Sequence, residues 1–168
     1  RIQISIHGYY SNFSPSSIFL RIFARYADSV RTVSESLAEH VIKRFKVKKS
    51  AIIIAPIPIE IPDLDFDVSK KYDIIFLGRL HQERNIEEWV SIVKDVASRI
   101  KFLKVGVAGD GEMRSFFESS LSELEGNLEF EFLGYISHSR VSAVLSSARI
   151  LLSSAKSESY GLSIREAQ

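Results

Sequence analysis

Short β-rich apolar runs alternate along this chain with longer stretches whose apolar residues recur at helical spacing. Residues 2–7, I-Q-I-S-I-H, alternate apolar and polar positions and are rich in β-branched side chains, which predicts a strand. Residues 16–27 carry Ile18, Phe19, Ile22, Phe23 and Tyr26 as a helical stripe, with Pro15 suited to the first turn. A short strand is expected at 29–33. Ser34 then caps a helix whose apolar face is Leu37, Val41 and Phe45, and 51–55 reads as a third, buried strand. Pro58, Pro62 and the acids Asp63, Asp65 and Asp67 fall in 57–71, and a linker between two domains is expected at 61–71. A second series follows: strands at 72–77, 102–108, 128–133 and 149–152, and helices at 85–100, 111–124, 137–147 and after Gly161. Strand and helix in strict alternation predict an α/β chain of Rossmann-like, doubly wound parallel sheets.

Composition narrows the chemistry. The chain is 45% apolar and 26% charged, globular rather than disordered. Its 168 residues accommodate one ordinary domain or parts of two. It begins in a strand and stops within a helix that has no stop signal, so both ends read as cut. With no cysteine, disulfides, thiol nucleophiles and cysteine metal sites are excluded, and the four histidines (7, 40, 81, 138) lack metal-ligand spacing. No metal, no cofactor and no nucleic-acid partner are expected. No apolar run approaches the roughly 18 residues of a membrane span, and a cytoplasmic protein is expected. Net charge is +1, but residues 1–60 hold nine Lys/Arg against four Asp/Glu, and 61–168 hold thirteen against seventeen. The basic excess peaks at 41–49, V-I-K-R-F-K-V-K-K. Two readings stand there: a surface using Phe45 and its cations on anionic lipid at the inner face of a membrane, or a solvated helix end whose dipole favours cations.

Four strand-to-helix junctions carry candidate chemistry. L-G-R-L-H-Q-E-R-N at 77–85 follows a strand; Gly78 permits a tight turn, and Arg79 and Arg84 could grip one diphosphate through their bidentate forks. Gly109-Asp110-Gly111 follows another strand but lacks the third glycine of a dinucleotide fingerprint. Leu133-Gly134-Tyr135-Ile136 follows a third. Last, S-S-A-K-S-E-S-Y-G-L-S-I-R-E-A-Q at 153–168 reads as loop and helix start, where unpaired N–H groups and a helix dipole suit phosphate. Glu158 and Glu166 flank Gly161 in it. A surface loop and a solvated helix fit the same residues, and Glu123 and Glu131 repeat the glutamate spacing at the end of one expected helix and inside the next expected strand.

The 153–168 stretch resembles the donor-site signature of GT-B nucleotide-sugar glycosyltransferases of family 4, the glycosyl transferases group 1. G-R-L at 78–80, G-D-G at 109–111 and the strand ending His7-Gly8 resemble further family motifs in the expected order, as does A-D-S-V-R-T-V-S-E-S-L at 27–37. Arg84 and Asn85 replace the family's Lys and Gly, and Pro56-Ile57-Pro58 stands where Asn-Gly is expected. The resemblance implies a GT-B fold incomplete at both ends. Residues 1–60 would be the second half of an acceptor-side domain, and 72–168 a truncated donor-binding domain. It implies retaining, metal-independent hexosyl transfer from a UDP- or GDP-sugar to a carbohydrate or lipid-linked acceptor. Arg79 and Arg84 would neutralise the diphosphate over Gly161 and Leu162. Glu158 would hold sugar hydroxyls, Glu166 the ribose, and His7 the donor sugar. Gly109, Gly111, Tyr135, Ile136 and Tyr160 would complete the donor site. A GT-B isomerase or hydrolase, or a non-catalytic nucleotide-binding module, would use the same apparatus.

Overall fold

The computed structural model describes residues 1–9, 14–58, 69–124, 126–156 and 160–167. The chain divides into two compact units, Arg1–Pro58 with Glu158–Gly161, and Ile59–Ser157 with Leu162–Gln168. Of the expected linker, 69–71 are described; the acidic positions 63, 65 and 67 lie outside the described residues.

The first unit is a parallel sheet of β1 (Gln3–Ile6), β2 (Ser29–Thr32) and β3 (Ile52–Ile54) in that order. The crossovers are α1 (Pro15–Phe23), continued by a 3-10 turn at Ala24–Tyr26, and α2 (Glu35–Phe45). Both helices start on serine caps: Ser14 Oγ accepts from the Ser17 N–H at 3.1 Å, and Ser34 Oγ from the Leu37 N–H at 3.3 Å. The pairs Ile4, Val30, Ile52 and Ile6, Thr32, Ile54 share one sheet face, while Ser5, Arg31 and Ile53 share the other. The core joins Ile6 and Val30 to Leu20 of α1, to Ala24 of the 3-10 turn and to Leu37, Val41 and Phe45 of α2.

Three expectations change here. The α1 stripe of Ile18, Phe19, Ile22, Phe23 and Tyr26 is exposed, each residue 47–65% accessible. The buried side is instead Leu20 with Ser17 and Ala24, two small side chains that let the helix approach closely. The third strand is not buried: Ile53 and Ile54 are 48% and 44% exposed, because β3 is the edge of this sheet. Phe45 is buried at 2%, so 41–49 offers its lysines to solvent but no aromatic anchor, as a solvated helix end does.

The second unit is a parallel sheet ordered β6-β5-β4-β7: β4 (Tyr72–Leu77), β5 (Leu103–Ala108), β6 (Leu128–Gly134) and β7 (Ala148–Leu151). The connections are α3 (Ile86–Arg99), α4 (Arg114–Ser122) and α5 (His138–Ser146), and α6 (Leu162–Glu166) closes the described chain. One core packs α3 and α4, with Trp89, Val93 and Phe117, on Ile74, Phe76, Val105 and Val107. The second packs Val144 of α5 against Tyr72, Ile75 and Ala108. Burying a ring such as Trp89, which is wholly inaccessible, contributes about 2–3 kcal/mol. From β4 the chain adds β5 and β6 on one side, then returns to place β7 on the other, so its winding reverses between β4 and β7.

Gly106 in β5 explains the second glutamate pair. A Cβ there would stand 3.1 Å from the Tyr72 ring. Without it, the ring lies across β5 and donates its hydroxyl to Glu131 on β6 at 2.7 Å. Lys71 Nζ meets the same oxygen at 2.6 Å. Glu123 pairs with Lys94 at 3.0 Å. Both carboxylates are thus structural ties. The lysine bond, with help from the tyrosine, holds the Glu131 carboxyl below its ordinary range, and burial pushes the Tyr72 phenol up.

Candidate functional site

In open α/β sheets ligands bind beyond the carboxyl ends of the strands, where the winding reverses. In the second unit that place lies between the loops leaving β4 and β7. The β4 loop begins at Gly78 and runs through Arg79 to a 3-10 turn at Gln82–Arg84. Asn85 then adopts φ 52 and ψ 52 and opens α3. This is the left-handed geometry that glycine takes without cost and that Asn tolerates best among the other residues. Asn in a glycine position therefore preserves the turn.

The neighbouring loops are tied to this one by their backbones. The Gly78 N–H donates to Ala108 C=O at 3.0 Å, Leu80 N–H to Asp110 C=O at 2.9 Å, and Met113 N–H to Leu80 C=O at 2.9 Å. Gly109 N–H donates to Gly134 C=O at 2.8 Å, which brings in the β6 loop. A Cβ on Gly109 would lie 1.8 Å from the Gly78 carbonyl oxygen, and one on Gly111 would lie 2.4 Å from that of Leu80. G-D-G is therefore a device for close backbone approach. It also sets α4 back: that helix starts at Arg114, because 109–113 are spent on the contact with the β4 loop.

The β7 exit is fastened on the other side. Leu152 N–H donates to Ile75 C=O at 3.0 Å, and the buried Trp89 Nε1 donates to Leu152 C=O at 3.0 Å. Ser154 Oγ lies 2.9 Å from Arg84 C=O and 3.0 Å from Asn85 C=O. The arginine loop and the β7 exit thus form the two banks of one crevice.

Arg79 stands 4.0 Å from Glu83, both largely exposed, a pairing too weak to hold the guanidinium against an incoming anion. Arg84 is half-buried; its Nε and Cζ would be 3.7 and 3.8 Å from a Cβ on Gly78. His81 Nε2 meets Glu112 at 3.3 Å, a further tie between the β4 and β5 loops. Tyr135 is 84% exposed at the β6 exit, while Ile136 packs into the α5 core. Glu166 is largely covered and faces His138 Nδ1, at the start of α5, across 3.6 Å.

The second unit therefore gathers Arg79, Arg84, Gly109, Gly111, Tyr135 and Ile136 on loops at one end of its sheet, and sets Glu166 beside α5. Glu158 lies outside the described residues. Tyr160 and Gly161 go with the first unit: Tyr160 donates its hydroxyl to Ile57 C=O at 2.8 Å, and Gly161 is buried with φ 69. His7 follows β1 and is exposed. The final helix, α6, begins at Leu162, directly after Gly161. Nothing in the sequence assigns Ser154, Trp89 or His138 a site role. Their bonds run to backbone or to distant side chains, and no spacing announces those. Among the described residues no three His, Asp or Glu side chains gather as a metal site, and no helix is long and apolar enough to cross a membrane.

The model of the family described as glycosyl transferases group 1 matches residues 63–168. A 2-deoxystreptamine N-acetyl-D-glucosaminyltransferase of Niallia circulans is 34% identical over 97 residues, 58% of this chain and 25% of that protein. An uncharacterized glycosyltransferase of Methanocaldococcus jannaschii is 24% identical over 178 residues, 95% of this chain and 45% of that protein. S. aureus TarM, solved with UDP and alpha-GlcNAc-glycerol among its ligands, matches at TM-score 0.79 and 17% identity, over 98% of this chain and 34% of its own. The pneumococcal O-GlcNAc transferase GtfA, in complex with UDP and GlcNAc, matches at 0.78 and 18%, over 98% and 35%. Such likeness shows the fold, α/β with Rossmann-like parallel sheets of GT-B type. The chain spans a quarter to just under half of the curated relatives it matches.

Proposed function

Since the chain belongs to the glycosyl transferases group 1 family, we propose that its protein moves a hexose from a nucleoside diphosphate sugar to an acceptor hydroxyl, with retention and without a metal. The observation that carries this reading is the crevice at the winding reversal of the second unit, with Arg79 and Arg84 on the loop that forms one bank. A departing diphosphate develops negative charge. Two guanidiniums on a loop fastened by backbone bonds supply fixed positive charge there, the task a divalent cation performs elsewhere. Glu166 is the proposed ribose ligand: a carboxylate accepts from vicinal hydroxyls, and its low exposure keeps water from competing. His7 and Glu158 are proposed for the sugar, Gly161 and Leu162 for the diphosphate, and Tyr135 and Tyr160 complete the donor set. UDP bound to TarM and GtfA favours a nucleotide-sugar donor and a carbohydrate acceptor. The proposed location is cytoplasmic.

The test is calorimetric titration of the full chain with UDP- and GDP-sugars, beside Arg79→Ala and Glu166→Ala. Each loses a charge-assisted contact, and each should weaken binding by about 1.5–3 kcal/mol. Unchanged affinity in both variants removes the assignment.

A further inference from the structure

We infer that Ser154 is a positioning residue that sets the place of Arg84 at the crevice, an inference resting on the reading of that crevice as the diphosphate site. The argument starts from the backbone at the end of the arginine loop. Arg84 ends a 3-10 turn, and Asn85 reverses the chain through a left-handed conformation before α3 begins. A non-glycine residue there is strained and persists only where its surroundings over-determine it. The carbonyls on either side of this reversal, those of Arg84 and Asn85, converge on the one Ser154 hydroxyl at 2.9 and 3.0 Å.

A single O–H shared between successive carbonyls fixes the orientation of both peptide planes. With them it fixes the direction in which the Arg84 side chain leaves the backbone. The hydroxyl is itself held. Leu152, two residues earlier, is bonded through its N–H to β4 and through its C=O to Trp89 on the first turn of α3. Ser154 is thus anchored to the sheet, while the arginine loop is anchored to Ser154. Its hydroxyl also lies on the β7 exit and bonds to the arginine loop, so it ties the two segments together at the level of Arg84. Arg84, half-buried beside Gly78, has little freedom to recover its place by rotamer change once that backbone shifts.

The full chain is titrated with UDP and with GDP, as wild type, Ser154→Ala, Ser154→Thr, Arg84→Ala and the Ser154→Ala/Arg84→Ala double variant. Emission from Trp89, the one tryptophan in the sequence, verifies that the second unit is folded in each. Loss of one neutral hydrogen bond should weaken nucleotide binding roughly three- to tenfold in Ser154→Ala, with Ser154→Thr restoring most of it. On the Arg84→Ala background the same serine change should cost less than about twofold, since residues acting through one another are non-additive. An undiminished serine effect on that background, or no serine effect on the wild-type background, overturns the inference. A wild-type chain that binds neither nucleotide overturns it together with the donor-site reading. Wild-type binding that Ser154→Ala leaves unchanged overturns the positioning role alone.

Discussion

Gly109→Ala tests the interlock of the strand-exit loops directly. The new methyl would sit 1.8 Å from the Gly78 carbonyl oxygen and 2.9 Å from its carbon. Real Cβ contacts stay beyond 3.0 Å, so the two loops must part by at least 1.2 Å. The hydrogen bonds crossing that seam measure 3.0 Å for Gly78 N–H to Ala108 C=O and 2.9 Å for Leu80 N–H to Asp110 C=O. Lengthened by so much, neither remains a hydrogen bond. Two lost backbone bonds cost about 2 kcal/mol together. Forcing alanine to φ +146 adds roughly 1–3 kcal/mol more. We expect a destabilisation of about 3–5 kcal/mol, read by urea unfolding through Trp89 fluorescence, which reports on the second unit alone. Gly134→Ala is the control: it also has positive φ, at 63, but nothing lies within 4 Å of its Cβ. It should cost only about 1–2 kcal/mol. If the two variants unfold at the same urea concentration, the close approach of the loops is not what requires glycine at 109.

Ser34→Ala removes the bond to the Leu37 N–H at 3.3 Å and should lower the stability of the first unit by about 1 kcal/mol, measured by denaturant circular dichroism. Glu131→Gln should destabilise at pH 7, with the deficit shrinking in acid. The folded carboxyl is held below its ordinary value, so its contribution is present above the unfolded pKa of about 4.5 and is lost as pH falls through the folded one. Melting both proteins from pH 7 to pH 3 checks the sign; a deficit that grows in acid would contradict it.

The alternation of strands and helices was legible because each element has the period of its structure, and Ser34 marked a helix start correctly to the residue. The buried side of α1 was not legible. Its sequence offers two faces, one of large apolar residues and one of Ser17, Leu20 and Ala24, and close packing on α2 selected the small one. Burial of Phe45 was legible in the helical stripe it shares with Leu37 and Val41. At the site, the arginines and glycines were visible as residue types at strand exits. The contact of Gly109 with Gly78 and the Ser154 bond to Arg84 were not, because both depend on where distant backbone segments meet.

The outward ridge of α1 has a practical consequence. Phe19 and Phe23 stack at 4.7 Å, Arg25 lies 4.9 Å over the Tyr26 ring, and residues 1–27 contain three arginines and no acidic residue. Reporter dyes that brighten in greasy surroundings will light up on this ridge while the protein is still native. A dye-based melting scan would begin from a raised baseline and understate the transition, so a label-free readout is the sounder way to follow this chain.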